Sequence, residues 1–274
     1  MGYDSTCKFI AEHFSADLAA WLLGEEIPLT RLDPSELSLE PIRADTVVFL
    51  QSTNKVLHIE FQTDPEAVIP FRMLDYRLRL HRRYRDKEVY QVVVYLRRTD
   101  SPLVRQQTFS LSGTEHHYQV IRLWEQPAEL FLSALGLLPF AALAQTDDPV
   151  RTLRQVAEQI ETITEKSIQS NVAASAALLA GLVLEKDLIL QVLRQDIMRE
   201  SVIYQEIQAE ARQQGISQGI SQGISQGIAI GEDRGQQLKA IAIAKKLLDL
   251  GMALEEIAQI TELPVAQVRQ LQQP

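Results

Sequence analysis

Residues 46–62 read TVVFLQSTNKVLHIEFQ, and this stretch decides the fold. Thr46–Leu50 and Lys55–Gln62 are runs of β-branched and long apolar residues, and Ser52-Thr53-Asn54 between them has the composition of a tight turn. Two antiparallel strands are expected. A turn centred on Ser52 and Thr53 sets Asp45 opposite Glu60 and Arg43 opposite Gln62. Alternation along each strand then puts Asp45, Glu60 and Gln62 on one face of the sheet. Two directly opposed carboxylates repel. A divalent cation between them reverses the sign, and oxygen ligands of this kind suit Mg²⁺ or Mn²⁺.

Outward from the hairpin, Cys7–Leu23 has the broad apolar face of a helix, built on Phe9, Ile10, Phe14, Leu18, Trp21 and Leu22. Pro70 suits the first turn of a helix running to about Arg85. Val89–Leu96 reads as a buried strand, and Val104–Leu111 and His117–Trp124 read as two more, with Gly113-Thr114 between them. Helix, hairpin, helix and three strands imply an α/β domain over residues 1–145, a mixed sheet flanked by helices. A helical C-terminal extension follows. Residues 146–212 form a helical region, 213–235 a Gly-repeat helix or linker, and 236–274 a small helical tail.

The chain has 274 residues, 46% apolar and 23% charged, which excludes wholesale disorder. Its one cysteine, Cys7, excludes a disulfide framework and a Cys-rich zinc module. The N-terminus carries Asp4, Lys8 and Glu12 in place of an unbroken apolar run, and Val172–Leu184 is too short to span a bilayer. A cytoplasmic protein without a membrane partner is expected. The net charge of −9 excludes a globally basic nucleic-acid binder. Locally the balance reverses: residues 72–98 hold nine Arg or Lys against three acids. Arg72, Tyr76, Arg79 and Arg83 recur on one helical face, with Phe71, Leu74 and Leu78 left for packing. A cationic stripe beside a carboxylate site is what docking of a phosphate backbone requires.

Asp45 followed by Glu60-Phe61-Gln62 on the next strand resembles the core of PD-(D/E)XK nucleases, and in particular the Rpn-type recombination-promoting nuclease/putative transposase family. Tyr3-Asp4, Arg43-Ala44-Asp45, His58-Ile59-Glu60-Phe61-Gln62, Phe71-Arg72-Met73-Leu74-Asp75-Tyr76 and the Gly-rich tail all fit it. The resemblance implies a restriction-endonuclease-like sheet and a Mg²⁺-dependent DNA endonuclease linked to recombination or mobile DNA, associated with the nucleoid when on DNA. It implies that Asp45, Glu60 and the main-chain carbonyl of Phe61 hold the metal, with Glu12 a candidate for an additional upstream acid. Arg72 and Tyr76 would lie nearest the site. Gln62 stands where many such enzymes carry lysine, and it offers a neutral donor and acceptor in place of a cation. That departure keeps a second reading open: a catalytically inactive, nuclease-derived DNA-binding or oligomeric scaffold. His58 falls on the face of Glu60, either near the metal or simply packed, while His81, His116 and His117 are scattered.

Gly215-Ile216-Ser217-Gln218 opens a four-residue repeat that places glycines at 215, 219, 223, 227, 231 and 235. Each costs a helix interior about 1 kcal/mol relative to Ala. The segment is therefore either a flexible linker or a helix that another helix covers, and a homo-oligomer through this region is expected. A four-residue period exceeds 3.6, so such a pairing wraps right-handedly. Lys239–Leu250, Ala253–Ile260 and Pro264–Gln272 read as three short helices with helix-turn-helix spacing. The would-be recognition helix carries only Arg269, which favours oligomerisation or docking over base reading.

Overall fold

The computed structural model describes residues 2–32, 47–198 and 201–271. In chain order the elements are α1 (Gly2–His13), α2 (Ser15–Leu23), β1 (Thr30–Arg31), β2 (Val47–Gln51), β3 (Lys55–Gln62), α3 (Ile69–Arg83) and β4 (Glu88–Tyr95). They continue with β5 (Thr108–Leu111), β6 (Thr114–His117), β7 (Gln119–Arg122), α4 (Ala128–Leu132), α5 (Pro149–Glu161) and α6 (Lys166–Ala180). Last come α7 (Lys186–Val192), α8 (Gln195–Met198), α9 (Val202–Asp249), α10 (Leu254–Thr261) and α11 (Val265–Gln270). The chain divides into two units, residues 1–208 and 209–274. No helix among the described residues is long and apolar enough to cross a membrane.

The first unit is a mixed α/β layer built on a five-stranded sheet in the order β1-β2-β3-β4-β7. β1, β2 and β3 are antiparallel, whereas β3, β4 and β7 run parallel. The hairpin turn closes with the Ser52 N–H donating to the Lys55 carbonyl at 2.9 Å. Thr53 and Asn54 are thus the central turn residues, and the expected register is corrected by two residues: Glu60 faces Val47. An even shift preserves the side-chain face. His58, Glu60 and Gln62 remain together, while Asp45 and Arg43 lie outside the described residues.

The two faces of the sheet differ in kind. On one, Val48, Leu50, Leu57, Ile59, Phe61, Val92 and Val94 meet helices α1, α2, α4, α5 and α6 and the 3₁₀ segment Leu135–Leu143 in one apolar core. The residues expected to form a separate helical region at 146–212 contribute Leu153, Val156, Val172 and Leu179 to this same core. On the other face lie Val47, Phe49, Val56, His58, Glu60, Gln62, Gln91, Val93 and Tyr95, covered by α3.

Three expected elements divide. Cys7–Leu23 breaks at Phe14, where ψ is +39°, because the chain turns to meet Leu135–Leu143. There the Gly136 N–H donates to the Asp17 carboxylate at 2.8 Å, and a Cβ on residue 136 would lie 2.1 Å from the Phe14 Cβ. Val104–Leu111 begins in a 3₁₀ turn (Pro102–Arg105) and continues as β5, since Pro102 suits the first position of a turn that the Ser101 side chain caps by accepting from the Leu103 N–H. His117–Trp124 splits between β6, which pairs only with β5, and β7, which joins the main sheet.

In the second unit the glycine repeat is helical throughout, as part of α9. The end of α9 packs with α10 and α11 around Ala244, Ile257, Leu263 and Val268.

Phe140 is fully buried, with ring centroids 5.8 Å from Phe61, 6.0 Å from Trp21 and 6.3 Å from Phe131. Phe140→Ala is expected to lower the unfolding free energy of the first unit by about 3–5 kcal/mol, read from the urea midpoint.

Candidate functional site

The polar residues of the α3-covered face gather around one carboxylate. Glu60 is 0% exposed and Gln62 6%. Gln62 Nε2 donates to Glu60 Oε1 at 2.9 Å, and the Arg72 guanidinium from the first turns of α3 pairs with the same oxygen. Arg72, 24% exposed, also reaches the more exposed Glu66 at 3.6 Å, so it links the interior to the surface. Burial pushes the Glu60 carboxyl above its ordinary range, and Arg72 and Gln62 oppose that rise. The second carboxylate oxygen, Oε2, is buried without a hydrogen-bond partner.

Behind this pair His58 is held as a neutral ring. Gln91 Nε2 donates to the Met73 carbonyl at 2.8 Å and lies 2.9 Å from His58 Nδ1. With the amide as donor, Nδ1 is the acceptor and the ring proton sits on Nε2, which has no hydrogen-bond partner. The ring packs 4.8 Å from Phe49 and 5.0 Å from Tyr76. Loss of solvent, reinforced by Arg72 and His116, depresses its pKa to about 3. Burial likewise pushes Tyr76 and Tyr95 up to about 12, so both remain neutral donors.

Glu60, Gln62 and Arg72 are thus brought together, and Asp45 falls outside the described residues. The Gln62 carbonyl accepts from the Leu96 N–H at 2.8 Å, so alternation directs the Phe61 carbonyl toward the β2 side. Glu12 is placed elsewhere: it pairs with Arg31 of β1, and α1 packs on the opposite face of the sheet.

The helix reading is corrected in phase. Tyr76 is buried against the sheet, Arg72 points at Glu60, and Arg79 lies 2.9 Å from Asp75 of its own helix. Arg83 is exposed in the last turn. Phe71 and Leu78, expected to pack, are 55% and 57% exposed. Ile69, Met73, Tyr76 and Leu80 form the inward stripe instead. The reason is electrostatic as well as apolar, because a carboxylate buried at position 60 demands a cation from the covering helix.

Gln91 was not singled out by sequence. Its signal was a lone amide in the otherwise apolar run Val89–Leu96.

The donor set can be weighed for a hard cation. The orphaned Glu60 Oε2 fits as one ligand. Among the described residues no group of three or more His, Cys, Asp or Glu side chains could hold a metal.

His58 carries a pH dependence with a definite sign. The unfolded chain takes up its proton below the ordinary value of 6.5, whereas the fold resists until about 3. The stability is whole above pH 6.5 and is lost as pH falls, by about 1.4 kcal/mol per unit. In EDTA, wild type is expected to lose about 3 kcal/mol more than His58→Gln between pH 7 and pH 4 in urea unfolding. Parallel pH profiles would contradict the buried neutral ring. Comparisons of the chain with protein-family models, with curated proteins and with solved structures find no significant match.

Proposed function

We propose that the chain is a Mg²⁺-dependent DNA endonuclease of PD-(D/E)XK type. The observation that carries this reading is the buried Glu60 carboxylate, with one oxygen held by Gln62 and Arg72 and the other free of hydrogen bonds, on the central strand β3. Glu60, the Phe61 carbonyl and Asp45 would hold the ion. When bound, Mg²⁺ supplies neutralisation of the phosphoryl charge.

The remaining work falls to the chain's own groups. Arg72 spans from Glu60 to the surface and can exchange its carboxylate partner for a phosphate oxygen. It brings to Glu60 Oε1 the positive charge that Gln62 lacks, so the neutral residue at position 62 does not leave the site without a cation. Gln62 orients water through its amide. His58, lacking a proton to spare near neutral pH, serves as packing and not as general acid. Arg82 and Arg83 at the end of α3 and Arg85 just beyond it, all exposed, extend a cationic surface for the DNA backbone.

Supercoiled plasmid with Mg²⁺ or Mn²⁺ tests the reading. Wild type is expected to nick or linearise it, and Asp45→Ala and Glu60→Ala to lose about 10²-fold or more in rate. DNA binding without cleavage by wild type would favour the inactive scaffold.

The second unit fits association with a second copy. Ile216, Ile220, Ile224 and Ile228 recur every four residues along α9, each more than half exposed, beside glycines with nothing within 4 Å of an added Cβ. Six helical glycines cost about 6 kcal/mol relative to Ala, which burial of the isoleucine row between two helices offsets. Light scattering on the full chain is expected to give a dimer or larger species, and Ile220→Ser with Ile224→Ser to shift it toward monomer.

A further inference from the structure

We infer that a cleft beyond the carboxyl ends of β4 and β7 takes one unpaired nucleotide of a DNA strand, its base stacked on Trp124 and its phosphate held by Arg98 and Arg105; this rests on the nuclease reading. The cleft has a volume of about 410 Å³ and is lined by Arg98, Ser101, Arg105, Trp124 and Gln145, with Asp100 and Glu125 also on its wall. In open sheets with parallel strands, ligands settle outside the carboxyl ends of those strands. Here Gln62, Tyr95 and Arg122 stand level across β3, β4 and β7. Arg98 follows Tyr95 by three residues and Trp124 follows Arg122 by two. The cleft therefore lies off the same end of the sheet as Gln62. It is on the same face as Glu60, since Val104 of the 3₁₀ turn packs with Tyr95 and Val93.

The chemistry of the walls selects the occupant. Trp124 packs part of its ring on the Tyr95 and Val104 cluster and lines the cleft with the rest. Arg98 makes no ion pair among the described residues. Arg105 is 72% exposed and meets Glu125 only at 3.6 Å, while Glu125 is held at 2.7 Å by Arg122. Two guanidinium groups are thus available to a phosphate, and the charge of Glu125 is already met. Asp100 can accept from an exocyclic amino group of a base. A space of this size holds one nucleotide and no base pair, and stacking on a single indole needs a base whose face is free. A strand leaving the Glu60 site would thread into it past Gln62 and Tyr95, the last residues of β3 and β4.

The test uses the full chain in EDTA, with a labelled single-stranded oligonucleotide and the duplex of the same sequence, followed by anisotropy. Arg98→Ala and Arg105→Ala, both exposed, are each expected to weaken single-strand binding about five- to tenfold and leave duplex binding within about twofold. In a Trp21→Phe background, where Trp124 is the sole tryptophan, its emission should change on adding the single strand. Single-strand binding that is intact in both arginine variants, with Trp124 emission unmoved, overturns the cleft and leaves the nuclease reading standing. Absence of any DNA binding by wild type, with Ca²⁺ in place of EDTA as well as in EDTA, overturns both.

Discussion

A carboxylate with no access to water, placed on the middle strand of the sheet, constrains everything that covers it. Glu60 is worth burying only with a partner, and Arg72 is that partner. Holding Arg72 against Glu60 fixes the rotation of α3, which carries Tyr76 and Leu80 inward with it and turns Phe71 and Leu78 out. The neighbouring polar groups follow the same logic. Gln62 donates to the carboxylate, and Gln91 ties His58 to the backbone of α3 at Met73. A network of this kind specifies one arrangement because each member left alone in the interior would cost more than it contributes.

The opposite face is free of that demand and is correspondingly apolar. Phe61 stacks on Phe140 with the rings nearly parallel, and the helices after residue 146 close over the same core. One strand thus serves two environments. Its odd-numbered residues Leu57, Ile59 and Phe61 anchor the fold, and its even-numbered residues His58, Glu60 and Gln62 form the polar row. Rigidity on one side holds the polar row on the other in place, since side chains carried on a packed central strand have little freedom to move apart.

The second unit obeys a different rule. Its short C-terminal core is conventional, a few apolar side chains closed by α10 and α11. Among its described side chains the glycine segment of α9 buries none within its own unit, so its helical form relies on backbone hydrogen bonds alone or on a covering partner.

Much was legible in the sequence. The hairpin, the helix after Pro70, the Val-rich strand and the shared face of Glu60 and Gln62 follow from composition and from a strict period of two, which survive a misplaced turn. Arg72 was also marked as close to the site. The phase of α3 was not legible, because a helix with arginine on one side and exposed apolar residues on the other looks inverted until the buried carboxylate beneath it is known. The division of His117–Trp124 between two sheets was likewise decided by tertiary pairing, since the run satisfies strand composition throughout and only the room beside β4 selects which residues join it. Local chemistry determined which residues alternate and where the chain turns. The tertiary structure decided which charge meets which, because desolvation acts only once the layers have closed.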